Sequence, residues 1–286
     1  MRLGEMNNLS AEKLNQTMQQ RVGWNFGDLS RLTVTQASTM LETVDGKLAA
    51  IKTTSKLHES EKNGAYNGMV LAKQVLETFI AEADVEEAVS IAHQGFSEWN
   101  NTPVDDRAKI LETLADLLEE NHHELIALCT MEAGKSLQDG IDEVREAVDF
   151  CRYYAQQARE LFAGSGPLPG PTGELNELFS MGRGVFVCIS PWNFPLAIFT
   201  GQLAAALAAG NAVLAKPAEA TPLVAYRAIQ LLHEAGVPVA AMQLLPGLGA
   251  TVGAALTSSP KVDGVTFTGS TATAQRINRT MADTLA

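Results

Sequence analysis

Apolar and polar positions along this chain follow two rhythms, and the change between them divides it. From Gly184 onwards, short β-rich runs alternate with longer helical ones. Residues 184–190 (GVFVCIS) read as a strand, 191–195 (PWNFP) as a turn and 196–210 (LAIFTGQLAAALAAG) as an apolar helix. A second strand, 211–217 (NAVLAKP), precedes a second helix, 221–236 (TPLVAYRAIQLLHEAG). A third strand, 242–247 (MQLLPG), leads into GLGATVGAAL, and a fourth, within 262–270 (VDGVTFTGS), leads into a last helix. Gly, Pro and Asn join the runs. This alternation specifies βαβ crossovers and a parallel sheet covered on both faces.

Before this part the period is helical. Met69, Ala72, Leu76, Phe79 and Ile80 recur at helical spacing. Asp84 reads as a cap for VEEAVSIAHQGFSEW, with Glu87 three residues on in a capping-box-like arrangement. Asp105 or Asp106 opens one long helix that Gly134 stops, and a further helix runs from about Leu137 through Leu161. Residues 163–175 (AGSGPLPGPTGEL) form a Pro/Gly break, read as a connection within one fold because the helices before it need a surface to pack on. Residues 1–68 are polar and carry no chemical motif; Ser10 is placed to cap a short helix there, and His58 reads as solvated. The expected organisation is a polar extension (1–68), a helical part (69–166) and a Rossmann-like dinucleotide-binding part (167–286).

Composition narrows the functions. A net charge of -12 argues against a nucleic-acid surface built from clustered Lys and Arg. Three cysteines without a CxxC spacing exclude a dense disulfide framework or a cysteine zinc site. Cys129 and Cys151 fall on apolar helical faces as core thiols, and the adjacent His122 and His123 point to different sides of a helix, a poor metal pair. The longest apolar run, near LAAALAAGNAVLA, is too short and interrupted to span a bilayer, and residues 1–13 lack a signal-peptide core. The expectation is a cytoplasmic protein with no membrane or nucleic-acid partner.

Parallel sheets bind ligands beyond the carboxyl ends of their strands, and four features collect there. Asn193 sits in a turn stiffened by Pro191 and Pro195, where an amide could stabilise an oxyanion. Lys216 ends a strand, and Glu219 follows it. A carboxylate there suits the paired hydroxyls of a ribose and repels a 2′-phosphate, so it favours NAD over NADP. Gly247, Gly249 and Gly253 lie at the next strand-to-helix junction, one residue off the G-x-G-x-x-G spacing. Gly269 and Ser270 mark the last junction, where a helix N-terminus favours phosphate. Singly, each has a plain alternative: a turn Asn, a solvated ion pair, a glycine turn, an ordinary Ser cap. Together they fall at one end of one sheet, in consistent order.

These stretches also resemble a known family. GVFVCISPWNFPLAIF, GNAVLAKPAEATP, LLPGLGATVG and VTFTGSTATA are similar to the NAD(P)-dependent aldehyde dehydrogenase superfamily. With MEAGKSLQDGIDEVREAVDFCRYYAQQA before them, they resemble the L-glutamate γ-semialdehyde (pyrroline-5-carboxylate) dehydrogenase module of bifunctional proline utilization A proteins. The resemblance runs from about Val85 to the end and covers the first part of such a module. It implies an α/β fold, the NAD-binding part of the aldehyde dehydrogenase fold preceded by long helices. It implies Asn193 as the catalytic oxyanion amide, with Lys216 and Glu219 on the adenosine ribose. Ile189, Ser190, Pro191 and Trp192 would line the cofactor cleft, and Gly249 and Gly253 would let the adenine lie against a helix. Phe267, Thr268, Gly269 and Ser270 would approach the pyrophosphate and nicotinamide. The implied cofactor is NAD, the implied partner a small aldehyde, and the family's enzymes are homo-oligomers.

The family's nucleophilic cysteine and general-base glutamate lie in ELGG and GQ-x-C-like stretches that are absent here. Cys188 is embedded in the apolar strand, so none of the three cysteines has the nucleophile's context. The expectation is a truncated module, inactive alone, in proline catabolism. The competing reading is a non-catalytic nucleotide-binding or scaffold protein that works through residues 1–68 and keeps the α/β core for packing.

Overall fold

A computed structural model describes residues 85–285, which lie in one compact unit (Asp84–Ala286). The polar extension 1–68, the helical pattern from Met69 and the expected cap Asp84 lie outside the described residues. Four helices come first: α1 (Val85–Asn101), α2 (Val104–Glu120), α3 (His122–Ala133) and α4 (Leu137–Leu161). The single helix expected between Asp105 and Gly134 is two. The chain turns at Asn121, whose Nδ2 donates to the Leu117 carbonyl at 2.8 Å and so competes with continued helix. Its start also differs: Pro103, not Asp105 or Asp106, precedes the first helical residue.

Gly134 does stop α3, with a left-handed φ of 67° that glycine adopts without strain. Ser136 opens α4 two residues later through a capping box with Asp139. The Pro/Gly stretch holds a short antiparallel ribbon, β1 (Pro167–Leu168) with β2 (Asn176–Glu177). These two-residue strands carry no alternating pattern, so sequence gave no sign of them.

The parallel sheet follows as expected. Its strands are β3 (Val185–Ile189), β4 (Ala212–Lys216), β5 (Met242–Leu244) and β6 (Gly264–Phe267), in the spatial order β5-β4-β3-β6. Helices α5 (Ala197–Ala208) and α6 (Pro222–Glu234) cross between the first three. The GLGATV stretch forms a π-helical turn (Gly249–Gly253) running into the short α7 (Ala254–Thr257), and α8 (Thr271–Leu285) comes last.

Side chains alternate across the strands and build two cores. Cys188, Val213 and Ala215 face a core with α2–α6, while Val185, Val187, Ala212 and Leu214 face another with α1 and α7. Both faces are thereby covered, which explains why the strands read as almost unbroken apolar runs. The chain steps outward from β3 to β5 and then returns to β6 on the far side of β3. At such a reversal of strand order, open parallel sheets take their ligands beyond the strand tips, here those of β3 and β6.

Close packing against the turn before β5 fixes α1. A Cβ built on Gly95 would lie 2.5 Å from both the carbonyl carbon and the oxygen of Ala240, backbone atoms that cannot swing aside. Alanine gains roughly 1 kcal/mol over glycine inside a helix, but overpacking costs about 1–3 kcal/mol. Gly95→Ala is therefore expected to lower stability, read as a fall in the urea midpoint at unchanged m-value.

Candidate functional site at the strand tips

The strand tips are in register. Ile189 lies opposite Lys216 on one side and Phe267 on the other. The pairing continues past the strands: Ser190 N–H donates to the Lys216 carbonyl at 3.3 Å, and Thr268 N–H to the Ile189 carbonyl at 3.1 Å. Residues expected at the site from three separate stretches thus sit on neighbouring tips.

At the β4 tip Lys216 is buried, its Nζ donating to the Pro217 carbonyl at 3.1 Å and standing 3.6 Å from Glu219 Oε1. That oxygen also accepts from Gly249 N–H at 2.5 Å, which ties the β4 tip to the π-helical turn after β5. Gly253 is buried against the lysine stem: a Cβ there would lie 3.5 Å from Lys216 Cδ and Cε. Lys216, Glu219, Gly249 and Gly253 therefore form one cluster. Glu219 is half-buried and Gly249 exposed, so the cluster opens to solvent on the carboxylate side.

At the β3 tip Ser190 is buried and Pro191 half-buried, while Trp192 and Asn193 are exposed. Among the described residues the Asn193 amide makes no hydrogen bond. At the β6 tip Phe267 is half-buried and Thr268, Gly269 and Ser270 are exposed. Ser270 caps α8, its Oγ accepting from Thr273 N–H at 3.2 Å. The cap reading of that serine holds, and the exposed start of α8 stands beside it.

Cys188, Cys129 and Cys151 are all buried. Burial pushes each thiol up to about 12, so none carries thiolate near neutrality. Cys188 faces the α5 side of the sheet, with Sγ 3.7 Å from the Gln202 carbonyl.

The family model described as "Aldehyde dehydrogenase family" matches residues 57–286. This chain belongs to the aldehyde dehydrogenase family. Within it, the chain is 52% identical over 202 residues to the bifunctional protein PutA of Escherichia coli (strain K12), covering 71% of this chain and 14% of that protein. It is 43% identical over 185 residues to the 1-pyrroline-5-carboxylate dehydrogenase of Geobacillus sp. (strain WCH70), covering 65% of this chain and 36% of that protein. The crystal structure of 1-pyrroline-5-carboxylate dehydrogenase from Thermus with bound NAD matches with a TM-score of 0.67 at 37% identity, over 69% of this chain and 38% of that one. The chain thus spans well under half the length of the relatives it matches. No described helix is long and apolar enough to cross a membrane.

Residues that sequence did not single out position the tips of this aldehyde dehydrogenase fold. Gln202, on α5, donates through Nε2 to the Ile189 carbonyl at 3.2 Å and to Thr268 Oγ1 at 3.1 Å, latching β3 to β6 at their tips. Two glutamates from the helical layer cap the crossover helices. Glu143, on α4, accepts from Leu196 and Ala197 N–H at 3.2 and 2.8 Å, at the start of α5. Glu132, on α3, accepts from Leu223 and Val224 N–H at 2.8 Å each, at the start of α6. A signal for both existed. Glu132 continues the stripe of Leu125 and Cys129, and Glu143 lies between Gly140 and Ala147, so each is a charge at a core position of its helix.

Burial pushes the Glu132 carboxyl up to about 7, against the lowering pull of its two backbone donors. A folded-state value above the unfolded one means that this group stabilises the fold most at low pH. The contribution falls as pH rises from about 4.5, the unfolded value, through about 7. The stability of wild type relative to Glu132→Gln should therefore decline over that window by on the order of 3 kcal/mol, measured by urea unfolding at pH 5 and pH 8. A flat difference would place the group's titration elsewhere.

Proposed function

We propose that this chain is the dinucleotide-binding part of an NAD-dependent L-glutamate γ-semialdehyde dehydrogenase, a cytoplasmic enzyme of proline catabolism. The observation that carries the reading is the Lys216–Glu219 pair at the β4 tip, beside the point where the strand order reverses. The residues present fit the dinucleotide. An ammonium donor next to a carboxylate acceptor complements the two hydroxyls of a ribose, and the carboxylate repels a 2′-phosphate. Ile189, Ser190, Pro191 and Trp192 form one wall of the cofactor cleft. Gly249 presents backbone without a side chain to the adenine, and Gly253 lets the helix that backs it lie close over the Lys216 stem. Gly269 and Ser270 present amides and a helix start to the pyrophosphate, with Phe267 and the Thr268 side chain beside them. The relatives named above, one of them a structure with bound NAD, support the same assignment.

In this reading NAD, when bound, supplies the hydride acceptor. The chain's own part is to hold the adenosine half at the β4 tip and to aim the Asn193 amide at the oxygen of an aldehyde carbonyl. A hydrogen-bond donor fixed there stabilises negative charge as it develops on that oxygen, an effect worth about 3–4 kcal/mol in comparable sites. Thiol chemistry is not assigned to Cys129, Cys151 or Cys188, because a protonated, buried sulfur cannot attack the carbonyl.

NAD is expected to raise the melting temperature of the 286-residue polypeptide, and NADP to do so much less. Glu219→Ala should weaken NAD binding by roughly 10–100-fold, the size of a lost hydrogen bond to a charged group. With NAD and glutamate semialdehyde, the polypeptide should give no sustained rise in absorbance from reduced cofactor. The absence of any thermal shift with NAD would overturn the proposed cofactor role and favour a scaffold function. Sustained turnover would overturn the assignment of the cysteines.

A further inference from the structure

The Asn193 amide has no anchor of its own among the described residues, so its direction is inherited from the backbone of the Pro191–Pro195 turn. That turn touches the helical layer through a side-chain assembly that the family reading does not use. Glu143 is buried to 1% exposure, and its Oε2 takes the amides of Leu196 and Ala197 directly after the turn. Its Oε1 lies 2.8 Å from Lys135 Nζ. The same ammonium lies 4.2 Å from the ring centroid of Phe194, the residue next to Asn193. Lys135 is itself fixed from both sides. Its backbone N–H closes the glycine cap of α3 on the Cys129 carbonyl at 3.5 Å, and the next residue, Ser136, is the capped start of α4.

We propose that Lys135 and Glu143 are positioning residues for the oxyanion turn: the ion pair grips it from one side through the Phe194 ring and from the other through the amides of Leu196 and Ala197. This rests on the reading of Asn193 given above. The chemistry explains the residue types. A carboxylate is the strongest acceptor for the two orphan amides at a helix start. A carboxylate buried this deeply needs a cation, because an uncompensated charge there is strongly unfavourable. An ammonium placed within about 6 Å of an aromatic face is attracted to it. Lysine therefore joins the buried charge to the exposed ring of the turn. An oxyanion donor acts only if it is held near its working geometry before the substrate arrives, and the pair supplies that hold from outside the cofactor cleft.

The test uses the full 286-residue chain labelled with 5-fluorotryptophan. Trp192 neighbours Asn193 and reports the turn, while the buried Trp99 reports global folding. The chain has a third tryptophan, Trp24, so the three lines of the fluorine NMR spectrum are assigned by the losses in Trp192→Phe and Trp24→Phe. Lys135→Gln keeps a hydrogen-bond donor for Glu143 but removes the cation. It should at least double the Trp192 linewidth or split the line, with the Trp99 line unmoved, and Lys135→Arg should restore the single narrow line. An unchanged Trp192 line in Lys135→Gln overturns the proposal. Broadening that persists in Lys135→Arg also overturns it, because any change at the position would then suffice. If Lys135→Gln collapses the Trp99 line, Phe194→Leu decides on a half-exposed ring, with a broadened Trp192 line supporting the grip and an unchanged linewidth refuting it. NAD thermal shifts on the same samples keep the two readings apart. A wild type that ignores NAD would sink the cofactor assignment, while the fluorine lines, recorded without NAD, still judge the grip.

Discussion

Two carboxyl groups, the buried Glu143 and the half-buried Glu132, join the halves of this structure. Each reaches from the helical layer into the first turn of a crossover helix, where backbone N–H groups have no partner within their own helix. Glu143 meets α5 just after the turn that carries Asn193, and Glu132 meets α6 just after the loop that carries Glu219. The Glu143 carboxylate, paired with the Lys135 ammonium, gains there from both the hydrogen bonds and the helix dipole, by about 1–2 kcal/mol, while Glu132 accepts the same kind of bonds with its ionisation opposed by burial. Removing either carboxylate would leave two buried donors unsatisfied, and that penalty exceeds the gain from forming the bonds. The geometry of the two loops therefore depends on the helical layer behind the sheet as much as on the sheet.

The electrostatics at the tips follow from this arrangement. The Lys216 ammonium is buried, yet it meets the Pro217 carbonyl and the Glu219 carboxylate at the solvent edge. Glu219 in turn gathers the Gly249 amide, so one carboxylate orders the β4 tip and the turn after β5. The three thiols have the opposite character. Desolvation holds each in the protonated form, and their chemistry is that of small apolar side chains in a core.

The parallel sheet and the end of it that carries the candidate residues were legible because they depend on local pattern. Strands buried on both faces must be apolar throughout, and the Gly, Pro and Asn between runs mark the crossovers. Lys216, Glu219, Asn193 and Ser270 could be placed at strand tips by counting along the chain. What stayed hidden is what depends on distant partners. Asn121 breaks a helix through its own side chain, in a stretch whose apolar spacing resumes in phase, seven residues on, from Leu118 to Leu125. The β1–β2 ribbon is too short to leave a period. Gln202, Glu132 and Glu143 act across roughly 10 to 90 positions of sequence, so their partners could not be read along the chain. The one trace of the two glutamates is a charge on an apolar helical stripe, which by itself names no partner.

Amide hydrogen exchange tests the central claim most directly. The N–H groups of Leu196, Ala197, Leu223 and Val224 lie at helix starts, where amides ordinarily exchange freely for want of an intrahelical acceptor. If the two carboxyl groups hold them, all four should exchange at least about 100-fold more slowly than an unprotected peptide, with protection at Leu196 and Ala197 lost in Glu143→Ala and at Leu223 and Val224 in Glu132→Ala. Free exchange of these four amides in the wild-type chain, with the interiors of α5 and α6 protected, would contradict the account.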